Sequence, residues 1–220
     1  MKFNPFAENK TPSVSMFAKE RPKQAKASAE TIEILEDQFH VQEYLGKNMN
    51  NETRAFFEAL VDQVGELAVN KLLATTFNKI NEYGALTGLH IKPSKMHTPI
   101  TSLPPLPKSL KHLSCVQSNI TSLPELPEGL EELGCSPSMT ALPKLPSRLR
   151  YLSCNQMPIF TLPELPEGLT FLDITHTYIK SLPELPKNLE NFFCQKTPLA
   201  ENKELLAELQ VKHPSLKIFS

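Results

Sequence analysis

The sequence predicts an α+β protein: a solenoid of parallel strands with extended proline-rich returns, closed in front by a helical hairpin and behind by a short helix and strand. Three observations predict it. A phrase of the type Leu-Pro-x-Leu-Pro begins at Leu103, Leu123, Leu142, Leu162 and Leu182, in steps of 20, 19, 20 and 20 residues. Two further ladders keep the same steps: Cys115, Cys135, Cys154, Ile174, Cys194, and Ile120, Met139, Ile159, Ile179, Leu199. Of the 20 prolines, 15 lie between Pro99 and Pro198, where proline excludes both helix interiors and central positions of a strand ladder. Three ladders in phase over five copies mark a stacked repeat.

Each copy reads Leu-Pro-x-Leu-Pro-x-x-Leu-x-x-Leu-x-Cys and then a short turn. In the second copy, Leu130, Leu133 and Cys135 resemble the strand core of a leucine-rich repeat. Strand alternation sends Leu133 and Cys135 to one face and Gly134 to the other. A repeat of about 20 residues is too short to return through a full helix. Leu-Pro-x-Leu-Pro instead favours polyproline II, whose three residues per turn set Leu123 and Leu126 on one side, with Pro124 and Pro127 stiffening the path. The coils then stack about 4.8 Å apart, and five strands span roughly 20–25 Å.

The elements follow in order. Residues 1–27 are expected to form a flexible basic tail, with six Lys/Arg against three Glu among the first 30 residues. Residues 28–85 are expected to be a helical cap. Ser28 caps a first helix carrying Ile32, Leu35 and Phe39 and stopping at Gly46; a second opens near Asn51 with Phe56, Leu60, Val64 and Leu67, and runs past Gly65 through Leu72, Ala74 and Phe77 toward Tyr83. The solenoid occupies residues 86–199, with Leu86–Ile91 as a degenerate leading strand. Residues 200–220 form the second cap, a helix and a final strand with Leu216 and Ile218 pointing inward.

Over Leu103–Leu199 the repeat phrase resembles that of the bacterial LPX-type leucine-rich-repeat effectors, the group containing the Yersinia outer protein M and the repeat halves of Shigella and Salmonella ubiquitin-ligase effectors. The helical hairpin resembles that family's amino-terminal cap. The resemblance implies delivery from a bacterium into the host cytosol and action there by binding a host protein. Two departures stand out. The family commonly carries Asn three residues after the Cys ladder, where this chain has Ser118, Met157, Thr177 and Thr197, and the second copy is one residue shorter. A continuous Asn ladder is therefore missing. The ligase members also carry a separate catalytic domain with a nucleophilic cysteine, for which the stretch after Leu199 is too short.

The formal charge of -1 argues against nucleic acid as the main partner, because phosphate binding needs a clustered cationic surface. No apolar run approaches the roughly 20 residues of a transmembrane helix, and nothing near Met1 resembles a secretory signal. The four cysteines share a row with Ile174, so they read as small core hydrophobes, and neither a metal nor another cofactor is expected. His112 and Cys115 are separated by an odd number of residues, which puts them on opposite strand faces and removes a dyad. No paired carboxylates or nucleophile triad stands out, and no enzyme activity is expected.

The informative positions alternate with the core and are expected to line a concave face. One row reads His112, Glu132, Tyr151, Phe171, Asn191; the next Ser114, Gly134, Ser153, Asp173, Phe193; the third Val116, Ser136, Asn155, Thr175, Gln195. Tyr151, Phe171 and Phe193 step across adjacent coils, and exposed aromatics in a contiguous patch favour a protein interface. From this the partner-binding candidates are His112, Glu132, Tyr151, Ser153, Asn155, Phe171, Asp173, Thr175, Asn191, Phe193 and Gln195. Self-association or packing against the terminal cap is the competing use of the aromatic residues. At the level of the whole chain, the alternatives to an effector are the substrate-selecting part of a ubiquitin-ligase system and an internal bacterial scaffold.

Overall fold

The computed structural model describes residues 49–73, 78–91 and 100–220. The tail expected at 1–27 and the first cap helix from Ser28 lie outside these residues, as do Ala74 and Phe77. The cap enters as α1 (Asn51–Val64), which Asn50 starts by accepting the Thr53 N–H on its side chain at 2.9 Å. Gly65 ends it at φ 84°, a left-handed conformation that glycine alone adopts without strain, and its N–H closes on the Val61 carbonyl at 2.8 Å. A shorter helix, α2 (Glu66–Leu73), follows.

The helix expected to run toward Tyr83 does not do so. Lys79–Ile80 is a short strand, β1, antiparallel to β2 (Leu86–His90). The turn between them is set by Asn81, whose side chain accepts the N–H groups of Tyr83 and Ala85, and by Gly84 at φ 74°. Asn and Gly at these places satisfy a tight turn more cheaply than a helix would. The result covers the edge that β2 would otherwise present.

From β2 onward every pairing is parallel. The strands are β3 (His112–Ser114), β4 (Glu132–Gly134), β5 (Tyr151–Ser153), β6 (Phe171–Asp173), β7 (Asn191–Phe193) and β8 (Lys217–Phe219). They lie side by side in chain order within one sheet. Register joins Leu89 of β2 with Leu113, Leu133, Leu152, Leu172, Phe192 and Ile218, the middle residues of β3–β8, and this row faces the core. The Cys/Ile row and the Ile/Met/Leu row are buried beside it. As expected, Leu86–Ile91 supplies the leading coil.

Among the described residues, the returns from β2 to β7 contain neither helix nor strand. Their two prolines have separate duties. The second begins a turn: Pro107, Pro127, Pro146, Pro166 and Pro186 each offer a carbonyl to the leucine N–H three residues on, at 3.0–3.1 Å. The first stiffens a path whose leucines, Leu123 and Leu126 among them, pack against the core. The last return differs. Ile218 follows Phe192 by 26 positions, whereas the strands from β3 to β7 follow one another by 19 or 20. Its route contains α3 (Lys203–Lys212). Ten helical residues rise about 15 Å, the reach of about five in polyproline II, so a helix consumes roughly the extra length.

The cap is keyed to the first coil by polar bonds inside an apolar contact. Thr53 is fully buried and its hydroxyl accepts the Leu86 N–H at 2.8 Å, while Asn50 N–H reaches the Gly84 carbonyl at 2.8 Å. Phe56, Phe57 and Leu60 of α1 are buried in the same core cluster as Leu86 and Leu89.

Two outcomes are expected. Leu152→Ala, in the centre of the stack and fully buried, should lower the unfolding free energy by about 2–5 kcal/mol in urea titrations. Gln156 sits at φ 64° in the turn after β5, so Gln156→Gly should raise stability by up to about 1 kcal/mol, the left-handed cost exceeding glycine's added chain entropy.

Candidate recognition face

The solvent face of the sheet carries a stack of rings. Tyr151 lies on Phe171 with centroids 4.3 Å apart and planes 11° from parallel, and Phe171 meets Phe193 at 5.2 Å and 34°. Phe193 in turn stacks on Phe219 at 4.2 Å and 6°. Strand register makes this possible: Tyr151 is opposite Phe171 and Phe193 is opposite Phe219, so ring spacing is governed by strand spacing. Four rings across β5–β8 cover roughly 14 Å. Inner ring faces are consumed within the stack, and the ring edges form a ridge. Tyr151 and Phe219, at its two ends, remain 37% and 38% exposed.

Phe219 was not among the sequence candidates, although its signal was present: if Leu216 and Ile218 point inward, alternation turns Phe219 outward. The terminal cap thus lengthens the ladder. A second exposed pair, Phe160 and Tyr178, stacks at 5.4 Å outside the strands, beside the Ile159 and Ile179 row.

Beside the rings, Asp173 gathers a polar group. One carboxylate oxygen accepts the Thr175 N–H at 2.9 Å and, more closely, the Thr175 hydroxyl. The other faces Ser153 Oγ and Asn155 Nδ2, each at 3.4 Å. Gln195 lies 3.4 Å from the Thr175 hydroxyl; since the single hydroxyl proton goes to the carboxylate, the Gln195 amide nitrogen is the group suited to face it. Ser153 is 6% exposed and acts on the surface through Asp173. Burial raises the Tyr151 phenol above its ordinary value, and the Asp173 and Glu132 carboxylates add to that rise. At the other side of the face, His112 Nδ1 is 3.1 Å from Glu132 Oε2. Asn191 is half-buried on β7, opposite Phe171.

Three members of the expected rows, Gly134, Ser136 and Ser153, are buried, Ser136 completely. Ser136 is fully buried and donates to the Ser118 carbonyl at 2.7 Å. The cause is the missing residue in that copy. Other turns place Gln117, Gln156, His176 and Lys196 at φ 56–64°, whereas the second copy has Pro137 in the shortened turn, and proline's fixed negative φ forbids that geometry. Two residues before Ser136, Gly134 leaves room for Val116, since a Cβ there would stand 2.8 Å from a Val116 methyl and require that side chain to shift.

The missing Asn ladder is replaced piecemeal. Thr177 and Thr197 are buried and donate to the carbonyls of Ile174 and Cys194 at 2.7 and 2.6 Å, and Thr197 Oγ1 also accepts the Ala200 N–H at 3.1 Å. Buried hydroxyls therefore hold these turns from inside. Met157 fills the same position as an apolar side chain.

All four cysteines are free and buried. Burial, then the neighbouring Cys135, pushes the Cys115 thiol far up; a hydrogen bond to Cys154, then burial, raises Cys135; and burial raises Cys194 to about 11. Among the described residues no group of His, Cys, Asp and Glu is arranged to hold a metal ion, and no helix is long and apolar enough to cross a membrane.

No family model matches the chain and no curated protein matches it. Solved structures similar to it include the following two. The first is described as a Shigella effector LRR domain, at 21% identity and TM-score 0.45, covering 86% of this chain and 96% of that one. The second is YopM from Yersinia enterocolitica WA-314, at 22% identity and TM-score 0.29, covering 76% of this chain and 42% of that one. Both are of the kind that the Leu-Pro phrase resembles. The solenoid itself is established by this chain's own strand order and register.

A folded-state thiol raised above its unfolded value disfavours the thiolate only in the folded protein. The stability it contributes is thus intact below the unfolded pKa of 9.0 and is lost as pH rises toward the folded value, about 11 for Cys194. Urea titrations should give a constant unfolding free energy from pH 7 to 9 and a falling one from 9 to 11. A thiol reagent at pH 8 should leave the native protein unmodified and label all four cysteines once it is unfolded.

Proposed function

We propose that this chain is a non-enzymatic protein-recognition module, and that the face built on β3–β8 holds a partner protein across the ridge of Tyr151, Phe171, Phe193 and Phe219. The ring stack carries the reading. Aromatic pairs contribute roughly 0.5–1.5 kcal/mol each beyond the area they bury, so the ridge is stiff before a partner arrives and little rotamer freedom is lost on contact. Asp173, Thr175, Asn155 and Gln195 form a polar border beside it, the arrangement of an apolar anchor with a hydrogen-bonding rim. His112, Glu132 and Asn191 extend that border, and Ser153 supports it from below.

A non-catalytic role is supported by how the reactive side chains are used. Burial holds the Cys115 and Cys194 thiols in the protonated form, a hydrogen bond to Cys154 together with burial does so for Cys135, and His112 is engaged with Glu132. The resemblance of the repeat phrase supports the finer part of the proposal: the chain is a bacterial effector delivered into a host cell, and its partner is a host cytosolic protein.

Phe171→Asp combined with Phe193→Asp places two carboxylates inside the ridge. Capture from host lysate with wild-type protein should retain a partner that this variant loses by at least about tenfold, equivalent to 1.4 kcal/mol or more. Unchanged retention by a variant whose thermal unfolding matches wild type would rule out the ridge as the binding surface.

A further inference from the structure

A second surface lies around the corner from the ring ridge, where the strands begin. There the turns leading into β5 and β7 and the starts of β5 and β8 enclose a groove of about 980 Å³. Arg148, Arg150, Lys187 and Lys217 line it, together with Glu131 and Glu190. Glu131 is already neutralised by Lys111 at 3.3 Å. None of the four cations has an ion-pair partner among the described residues. In a chain whose formal charge is -1, the groove therefore concentrates four unpaired positive charges against the single uncompensated carboxylate of Glu190.

We infer that this groove binds an acidic segment of a polypeptide in extended form. The spread of the cations selects that ligand. They are distributed from β5 to β8, three strand spacings or roughly 14 Å, the length of about four extended residues. Several singly charged carboxylates along a backbone match such a row, whereas one phosphate would engage a single point of it. The two arginines add planar donor pairs that fit carboxylates side by side. Arg150 immediately precedes Tyr151, and Lys217 lies two residues before Phe219, so a chain in the groove runs beside the ring ridge. The groove's function does not depend on the ridge being a partner site.

Fluorescence anisotropy of a short labelled oligoglutamate tests the inference on the full chain. The probe should bind, an uncharged oligoserine should not, and affinity should fall steeply with salt. Arg148→Glu combined with Lys187→Glu should weaken oligoglutamate by about tenfold or more, and Arg148→Gln with Lys187→Gln gives the same direction if charge reversal impairs folding. Phe171→Ser with Phe193→Ser should leave oligoglutamate affinity unchanged. The inference is overturned if oligoglutamate binds no better than oligoserine, or if a folded charge variant binds it as wild type does. Loss of binding in the phenylalanine variant would place the probe on the ridge, and sedimentation with phosphatidylserine vesicles without oligoglutamate binding would make the groove a lipid site; either result also overturns it.

Discussion

No coil of this protein can shield its own leucines, and that constraint organises everything else. A strand of three residues and a return without regular structure leave Leu133 or Leu152 covered only by the coils on either side. Burial of the apolar rows against neighbours is the dominant favourable term, and it is available only when successive copies keep one register. The register is uninterrupted from β2 to β8, which is why Cys and Ile exchange freely in one ladder and Ile, Met and Leu in another. Volume matters at these sites and chemistry hardly does. The same burial that suits a thiol to the core also removes it as a nucleophile, so the packing requirement bears directly on function.

Both ends of the stack meet the same demand by different means. In front, α1 lays Phe56, Phe57 and Leu60 against the first coil, and Thr53 ties it to Leu86 so that the apolar contact has one docking position. Behind, a longer return allows a helix in place of the proline path before β8 completes the sheet. Both solutions close an apolar surface that a repeat leaves open by construction.

Stacked coils also impose their spacing on whatever they display. Residues at equivalent positions on neighbouring strands are held at ring-stacking distance, as Tyr151 with Phe171 and Phe193 with Phe219, and a diagonal contact between Phe171 and Phe193 joins the two pairs into a ladder. The stacking of the turns that lead into the strands also brings Arg148, Arg150, Lys187 and Lys217 to one groove. An apolar ridge and a cationic groove thus lie side by side on one rigid frame, and the polar group around Asp173 borders the ridge within the sheet face.

The phase of the ladders was legible from the chain alone, because a period repeated five times fixes which residues face inward whatever the details of the return. Burial of the cysteines and parallel pairing follow from that period, while the leading strand at Leu86 and the final one near Ile218 lie off it and are marked by their own apolar residues. The outward direction of Tyr151, Phe171 and Phe193 follows from the period as well. Local exceptions were not legible: the hairpin at Asn81–Gly84 competes with a helical pattern of similar strength, and the buried Ser136 results from a missing residue whose effect depends on the coil before it. Nor does any one-dimensional pattern reveal the ring geometry or the groove, since Arg148 and Lys217 lie far apart in sequence and line one groove only because the coils between them stack. Periodicity determines the direction of each side chain, while the neighbours it meets are decided by contacts between coils, which exist only once the stack has formed.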